Sequence, residues 1–215
     1  MPPSELEYHA LELRIALESE RSEHILPELP AGCRRVLDVG CGMGQSLMAL
    51  RLPAAMDAHG VDVDEEALGA GRRIAPANIA FARAPGETLP YRSGAFDFVF
   101  SRVAVPYMAM NAAIPEMARV LRPRGQLWLL LHAPNVLAER VRDSLARRKA
   151  KDLVWCGYIA LNSALYHLAG VEFALRGKRE TVQTARGMRR AFRRAGLRCT
   201  EVEQNRFFVM RGVKE

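Results

Sequence analysis

Asp38, Gly40, Cys41, Gly42 and Gly44 stand together in the stretch Val36-Leu37-Asp38-Val39-Gly40-Cys41-Gly42-Met43-Gly44. A carboxylate followed by three glycines spaced two apart has chemical consequences. Glycines accept positive φ and let the backbone come close to a ligand, and a carboxylate at this point suits a ligand that carries an amino group. Val36, Leu37 and Val39 read as a buried strand, and the apolar run Ser46 to Leu52 reads as the helix that follows. The first free N–H groups of such a helix add partial positive charge. A dinucleotide site wants an uncharged turn facing a pyrophosphate, and the chain has no Gly-Lys-Ser/Thr for a P-loop. The plain alternative is a strand-to-helix turn whose glycines serve geometry alone.

The stretch resembles the first motif of the class I S-adenosylmethionine-dependent methyltransferases, acidic-x-Gly-x-Gly-x-Gly. The resemblance implies that Asp38 holds the methionine amino end and that Gly40, Cys41, Gly42 and Gly44 pass close under the cofactor. Asp62 ends a second short strand, Met56 to Val63, about twenty residues past the glycines. It matches the acid that in this family hydrogen-bonds both ribose hydroxyls, with Val63 beside it, while Asp64 caps the next helix. Glu87-Thr88-Leu89-Pro90-Tyr91 resembles the family's "E-x-L-P-F" segment near the adenine ring. Pro85 stands where the family commonly has an aspartate, so adenine recognition falls to backbone groups near Gly86, to Glu87, or to apolar contact. Ala95 to Arg102 resembles the fourth-strand motif "F-D-x-V-x-S", which implies a structural Asp97 and places Ser101 and Arg102 at the cofactor. Arg119 to Gly125 resembles "R-V-L-K-P-G-G", with Arg124 replacing the first glycine. Related small-molecule enzymes carry histidine at or next to the Pro106-Tyr107 position, and this chain has none there. Tyr107 and His132 are the candidates for touching the acceptor, His132 as an acid–base group at the end of its strand.

These residues need a frame. Strand and helix alternate from Arg35 to Leu131, which predicts an α/β, doubly wound, Rossmann-like sheet; the resemblance supplies seven strands with the last antiparallel. Ser4 and Glu7 form a capping-box start for an N-terminal helix within residues 1–30, with Leu6, Ala10, Leu13 and Leu17 on one stripe and Tyr8, His9 and His24 as surface or packing residues. Asn111 is expected to cap the helix before the fifth strand. Residues 134–184 leave the alternation as a helical cap insertion, in which Leu153 to Leu168 is apolar on nearly every face and is expected to be buried. Gly187 to Ala195 is a further helix closed by Gly196, ahead of a strand pair. One domain over residues 1–215 is the expectation.

The chain has 215 residues and a net charge of +7, and its four cysteines have no zinc spacing. They read as free thiols, and no metal site is expected. The N-terminus lacks a signal-peptide pattern and no stretch makes a transmembrane span, so a cytoplasmic protein is expected. From Glu139 to Arg198 there are fifteen basic and five acidic residues, compatible with nucleic acid, with peripheral contact to an anionic membrane, or with a solvated face. The implied reaction is direct, in-line methyl transfer from S-adenosylmethionine to a small acceptor, apolar or aromatic because the cap is. The alternatives are an RNA methyltransferase using the basic part and a non-catalytic cofactor-binding scaffold; monomer and homodimer are both open. Aminopropyl transfer wants paired acids after the fourth strand, where Ser101-Arg102-Val103-Ala104 has none.

Overall fold

The computed structural model describes residues 11, 13–14, 25–204 and 208–215. Seven strands form one sheet: β1 (Arg35–Val39), β2 (Asp57–Asp62), β3 (Ile79–Arg83), β4 (Phe96–Arg102), β5 (Leu121–Leu131), β6 (Leu197–Gln204) and β7 (Phe208–Lys214). Their spatial order is β3-β2-β1-β4-β5-β7-β6. The first five run parallel, and β7 lies antiparallel to both β5 and β6. The helices are α1 (Gln45–Ala49), α2 (Glu65–Ile74), α3 (Met110–Val120), α4 (Pro134–Ala146), α5 (Ala150–Ala169) and α6 (Ala185–Arg194).

The central strands are apolar at nearly every position because helices cover both faces. Successive side chains still alternate. Leu37, Val39, Val99, Leu127 and Leu129 join the core under α3 and α6. Val36, Phe98, Phe100, Trp128 and Leu130 pack on the opposite face with Leu47 of α1. Chain order reverses between β1 and β4, and in open α/β sheets ligands bind beyond the carboxyl ends of the strands at that point. The glycine turn leaves β1 there, and Val103-Ala104 leaves β4.

Several boundaries and caps differ from the sequence expectation. The helix after the glycine turn is only Gln45–Ala49. Asn111 does not cap α3: the backbone N–H groups of Met110 and Asn111 donate to the Glu172 carboxylate at 3.1 and 2.8 Å. The Asn111 side chain instead donates to the Gly170 carbonyl at 2.6 Å, so both contacts tie the segment after α5 to α3. Asp64 caps α2 as expected, accepting from Glu66 and Ala67. Asp97 is structural as expected: its Oδ2 accepts from the Arg34 and Arg35 amides and its Oδ1 pairs with Arg122. The buried-helix expectation for Leu153 to Leu168 fails on one side. Val154, Leu161 and Leu168 of α5 are 71%, 55% and 82% exposed, while Asn162 and Ser163 are buried. At the N-terminus Leu11, Leu13 and Arg14 are helical, and Leu13 packs on Met43, Ala67 and Ala70. Ser4, Leu6, Glu7, Tyr8, His9, Ala10, Leu17 and His24 lie outside the described residues.

Candidate cofactor and acceptor site

The glycine turn is shaped by close approach. Gly40, Gly42 and Gly44 have φ of 79°, 55° and 82°, values that glycine takes at little cost. A Cβ on Gly40 would come within 2.2 Å of the Ala104 Cβ, so the turn after β1 and the turn after β4 touch only because residue 40 has no side chain. The N–H groups of the turn are spent internally. Gly40 and Cys41 donate to the Val61 carbonyl at 2.8 and 3.1 Å, and Gly44 donates to the Cys41 carbonyl. Gly42 donates to Asp62 Oδ2 at 2.7 Å, and Met43 to Gln45 Oε1 at 3.1 Å. The N–H groups of residues 40 to 44 are thus all committed, and the turn itself offers a ligand close backbone contact rather than donors. The Cys41 thiol points at Gly60; burial holds its pKa well above the ordinary range, so it is an inert packing group.

Two carboxylates flank this turn. Asp38 is 1% exposed, and its Oδ1 has no hydrogen-bond partner. Burial first, and then the charge of Asp62, raise its pKa well above the usual carboxylate range, opposed by the Arg102 guanidinium. Asp62 accepts from Gly42 on Oδ2 and from the Val63 and Asp64 amides on Oδ1, at 2.7 and 3.0 Å. These bonds fix its orientation and leave one lone-pair direction on Oδ2. Ser101 is fully buried and its hydroxyl donates to the Val39 carbonyl at 2.6 Å, so its side chain braces β4 against β1, and the residue does not line the cleft.

A cleft of about 240 Å³ opens beside the turn, walled by Gly40, Asp62, Val63, Gly86, Glu87 and Tyr107, with Val61, Ala84, Ala104 and Met108 between them. Val63 is 61% exposed and presents an apolar edge. Glu87 has one oxygen committed: Oε1 accepts from the Ala109 amide at 2.6 Å.

Tyr107 on the cleft wall meets His132 behind it, their rings 5.6 Å apart and nearly perpendicular; His132 itself packs among Val136, Leu137, Arg140, Ile159, Glu180 and Val182 rather than on the cleft wall. Gln183 holds the His132 backbone on both sides, its N–H donating to the His132 carbonyl at 2.7 Å and its Oε1 accepting from the His132 N–H. The His132 Nδ1 has no hydrogen-bond partner, and burial together with the Arg140 charge holds its pKa below the ordinary histidine value. A neutral imidazole is a proton acceptor. The Tyr107 pKa is raised, by burial above all and by Glu180, against a hydrogen bond from Arg140; the phenol therefore stays protonated. Arg140 also donates to Glu180, a 6% exposed carboxylate that accepts from Trp155 Nε1 at 2.8 Å. The sequence marks Trp155 only as one aromatic within the apolar 153–168 segment, and does not single out Arg140 or Glu180. Nothing in the sequence singles out this pair, since residues 134–184 hold five acids and nine basic residues and the two partners stand forty residues apart.

Residues 37–129 match the family model described as a methyltransferase domain. The chain carries a class I, S-adenosylmethionine-dependent methyltransferase domain. A methyltransferase of Mycobacterium tuberculosis is 37% identical over 115 residues, which cover 54% of this chain and 46% of that protein. A malonyl-[acyl-carrier protein] O-methyltransferase of Enterobacter lignolyticus is 32% identical over 162 residues, 74% of this chain and 63% of that one. The chain thus spans less than two thirds of the length of these relatives. A solved S-adenosylmethionine-dependent methyltransferase from Methanosarcina mazei has the same fold, with a TM-score of 0.59 at 16% identity, covering 86% of this chain and 94% of that one. The methyltransferase domain's donor is S-adenosylmethionine, and the residues present fit it. A buried carboxylate oxygen lacking a donor, beside a second carboxylate, is matched by an ammonium group. Asp62 on the cleft wall is matched by a diol.

Proposed function

We propose that the protein transfers a methyl group from S-adenosylmethionine to a small apolar or aromatic acceptor. The unpartnered Asp38 Oδ1 carries this reading, because a buried carboxylate is costly without a charged partner and this donor brings one. Asp38 binds the donor's ammonium, Asp62 the ribose hydroxyls, and Val63, Gly86 and Met108 the adenine faces; Glu87 has one oxygen left for the adenine edge, in place of the aspartate that Pro85 removes. Arg102 balances the two carboxylates. S-Adenosylmethionine supplies a methyl carbon that is already electrophilic. What remains for the protein is to hold the acceptor in line with it and to exclude water. Tyr107 and His132 stand at the acceptor side, His132 as the neutral base for an acceptor hydroxyl and Tyr107 as a protonated wall group held by Arg140.

The RNA reading lacks geometric support. Arg189, Arg193 and Arg198 do line a cavity with Leu197 and Glu215. Leu197 pairs with Lys214, and the neighbouring Val213 pairs with Gln126, so that cavity sits at the amino-terminal edge of the parallel strands, away from the cleft.

Calorimetric titration with S-adenosylmethionine and S-adenosylhomocysteine tests the donor site. Micromolar-range binding is expected, weakened about 10–100-fold in Asp62→Ala by the loss of charge-assisted hydrogen bonds. Folded protein that binds neither ligand would sink the reading and bring the scaffold alternative forward. Binding without turnover on phenols, quinols and small amines would refute the acceptor class.

A further inference from the structure

The long cap helix α5 is built inside out. From Leu153 to Ala169 every exposed residue is apolar, with Val154, Gly157, Leu161, Ala164 and Leu168 repeating at three and four residues along one stripe. The polar residues of the same span point inward. Asn162 is fully buried and donates to Tyr158 and to the Glu180 carbonyl, and Ser163 donates to the Ile159 carbonyl. Five of the nine large exposed hydrophobics among the described residues belong to this region: Leu145 on α4, Val154, Leu161 and Leu168 on α5, and Val171 just beyond it. A helix face in water ordinarily shows the reverse pattern, charged out and apolar in, and an apolar patch of this length marks a contact surface. The stripe from Val154 to Leu168 is roughly 21 Å long at 1.5 Å per residue. No helix among the described residues is long and apolar enough to cross a membrane.

Charge at the ends of the stripe selects what covers it. The end of α4, the α4–α5 turn and the start of α5 carry Arg142, Arg147, Arg148, Lys149 and Lys151, all exposed, against Asp143 and Asp152. At the other end the Arg190 guanidinium donates to the His167 carbonyl at 2.9 Å, and Arg194 lies beside Gly170. A second copy would meet this surface at a disadvantage. Parallel pairing of two α5 helices sets one basic turn against the other, and antiparallel pairing sets the basic turn against Arg190 and Arg194. An anionic lipid surface is complementary at both ends and takes the apolar stripe between them.

We propose that the outer face of α5, with the basic α4–α5 turn, docks the protein in the plane of an anionic membrane surface. Apolar residues enter the headgroup boundary and the Lys and Arg side chains meet the lipid charge. The surface stands apart from the methyl-transfer cleft, so its test is independent of activity.

The test is co-sedimentation of the full chain with vesicles of phosphatidylcholine containing a third phosphatidylglycerol, against pure phosphatidylcholine. Binding is expected to the anionic vesicles at low salt, with at least a tenfold smaller bound fraction on pure phosphatidylcholine and a marked fall at 0.5 M NaCl. Leu161→Glu with Leu168→Glu is expected to lower the anionic-vesicle fraction at least tenfold. Arg148→Glu with Lys151→Glu is expected to lower it as well and to flatten the salt dependence. All four positions are exposed, so the thermal melts of these variants should match the parent and separate lost docking from lost folding. Absence of binding to anionic vesicles overturns the proposal. Equal binding to both compositions overturns the charge argument. A concentration-dependent dimer by sedimentation velocity that the two glutamates abolish, without vesicle binding, assigns the face to a second copy instead.

Discussion

At the scale of single residues, Asp38 does two opposing things. Its burial beside Asp62 raises its pKa, so the folded chain holds a proton that the unfolded chain releases. The stabilisation tied to that proton is complete below the ordinary carboxylate pKa and is lost as pH rises through the raised folded value. Asp38→Asn removes the ionisation. Its melting temperature is therefore expected above the parent's at pH 8, with the gap closing near pH 4, while its affinity for S-adenosylmethionine falls at least tenfold. Matched melts at the two pH values and one titration check both halves. A variant no more stable at pH 8 would place the Asp38 charge in a compensated environment. His132 gives a second prediction. With its pKa lowered by burial and Arg140, the neutral base persists into mildly acidic solution, so the acid limb of the rate profile should fall below the ordinary histidine value. His132→Asn should lower kcat roughly 10²–10⁴-fold and abolish that limb. A rate loss with the limb unchanged would make another group the base. Tyr107 and His132 were legible as candidates because both lie at carboxyl ends of the sheet elements; that Arg140 would reach Tyr107 was not, because its position depends on how α4 folds back.

Elements were legible where local patterning decides them and illegible where distant chain supplies a partner. The strands β1 to β5 could be read from apolar runs ending in polar or glycine turns, since a strand buried on both faces needs nothing else from sequence. The start of α3 could not. Asn111 looks like a cap, yet the carboxylate satisfying the first N–H groups is Glu172, 61 residues away from Asn111. Glu172→Ala should cost about 1–2 kcal/mol, the ordinary loss for a helix N-terminal cap, and should speed proteolysis near residues 170–180 because the insertion loses its tie to α3. A denaturant melt and limited digestion together measure this; unchanged stability would mean that water replaces the carboxylate without cost. The irregular first part of β5, where the register against β4 shifts, offers the converse experiment. Arg124 is exposed and sits at φ 64°, in the left-handed region that costs a side-chain-bearing residue about 1–2 kcal/mol. Glycine's greater freedom in the unfolded chain offsets part of that. Arg124→Gly is therefore expected to stabilise the fold by about 0.5–1 kcal/mol in the same melt, and a loss of stability would show that the arginine makes contacts worth more than the strain. The outward face of α5 escaped the sequence for a simple reason: period alone shows that a helix is apolar, not which of its faces is covered.

At the scale of the whole molecule, the cleft is made by joining two halves of the sheet. Gly40 follows β1 and Asp62 ends β2, Ala104 and Tyr107 follow β4, and Gly40 meets Ala104 across the reversal of chain order, with Asp38 buried behind the turn. A ligand bound there touches both halves and is absent from the unfolded chain, so it stabilises the entire fold by RT ln(1 + [L]/Kd), about 2.7 kcal/mol at a hundredfold excess over Kd. For a domain near 200 residues, each kcal/mol moves the melting temperature by about 2–4 °C. Saturating S-adenosylmethionine should then raise it by about 5–11 °C. The pH dependence of that shift is the sharper measurement. On the proposed assignment the donor's ammonium pairs with ionised Asp38, and below the raised pKa of that carboxyl, binding must first expel its proton. Affinity should fall about tenfold for each pH unit below it, so the thermal shift at fixed ligand concentration shrinks as the solution is acidified, with a proton released on binding that calorimetry in buffers of different ionisation enthalpy detects. A shift that is constant from pH 8 to pH 5 would show that the donor's ammonium is held elsewhere, and the assignment of Asp38 would fall with it.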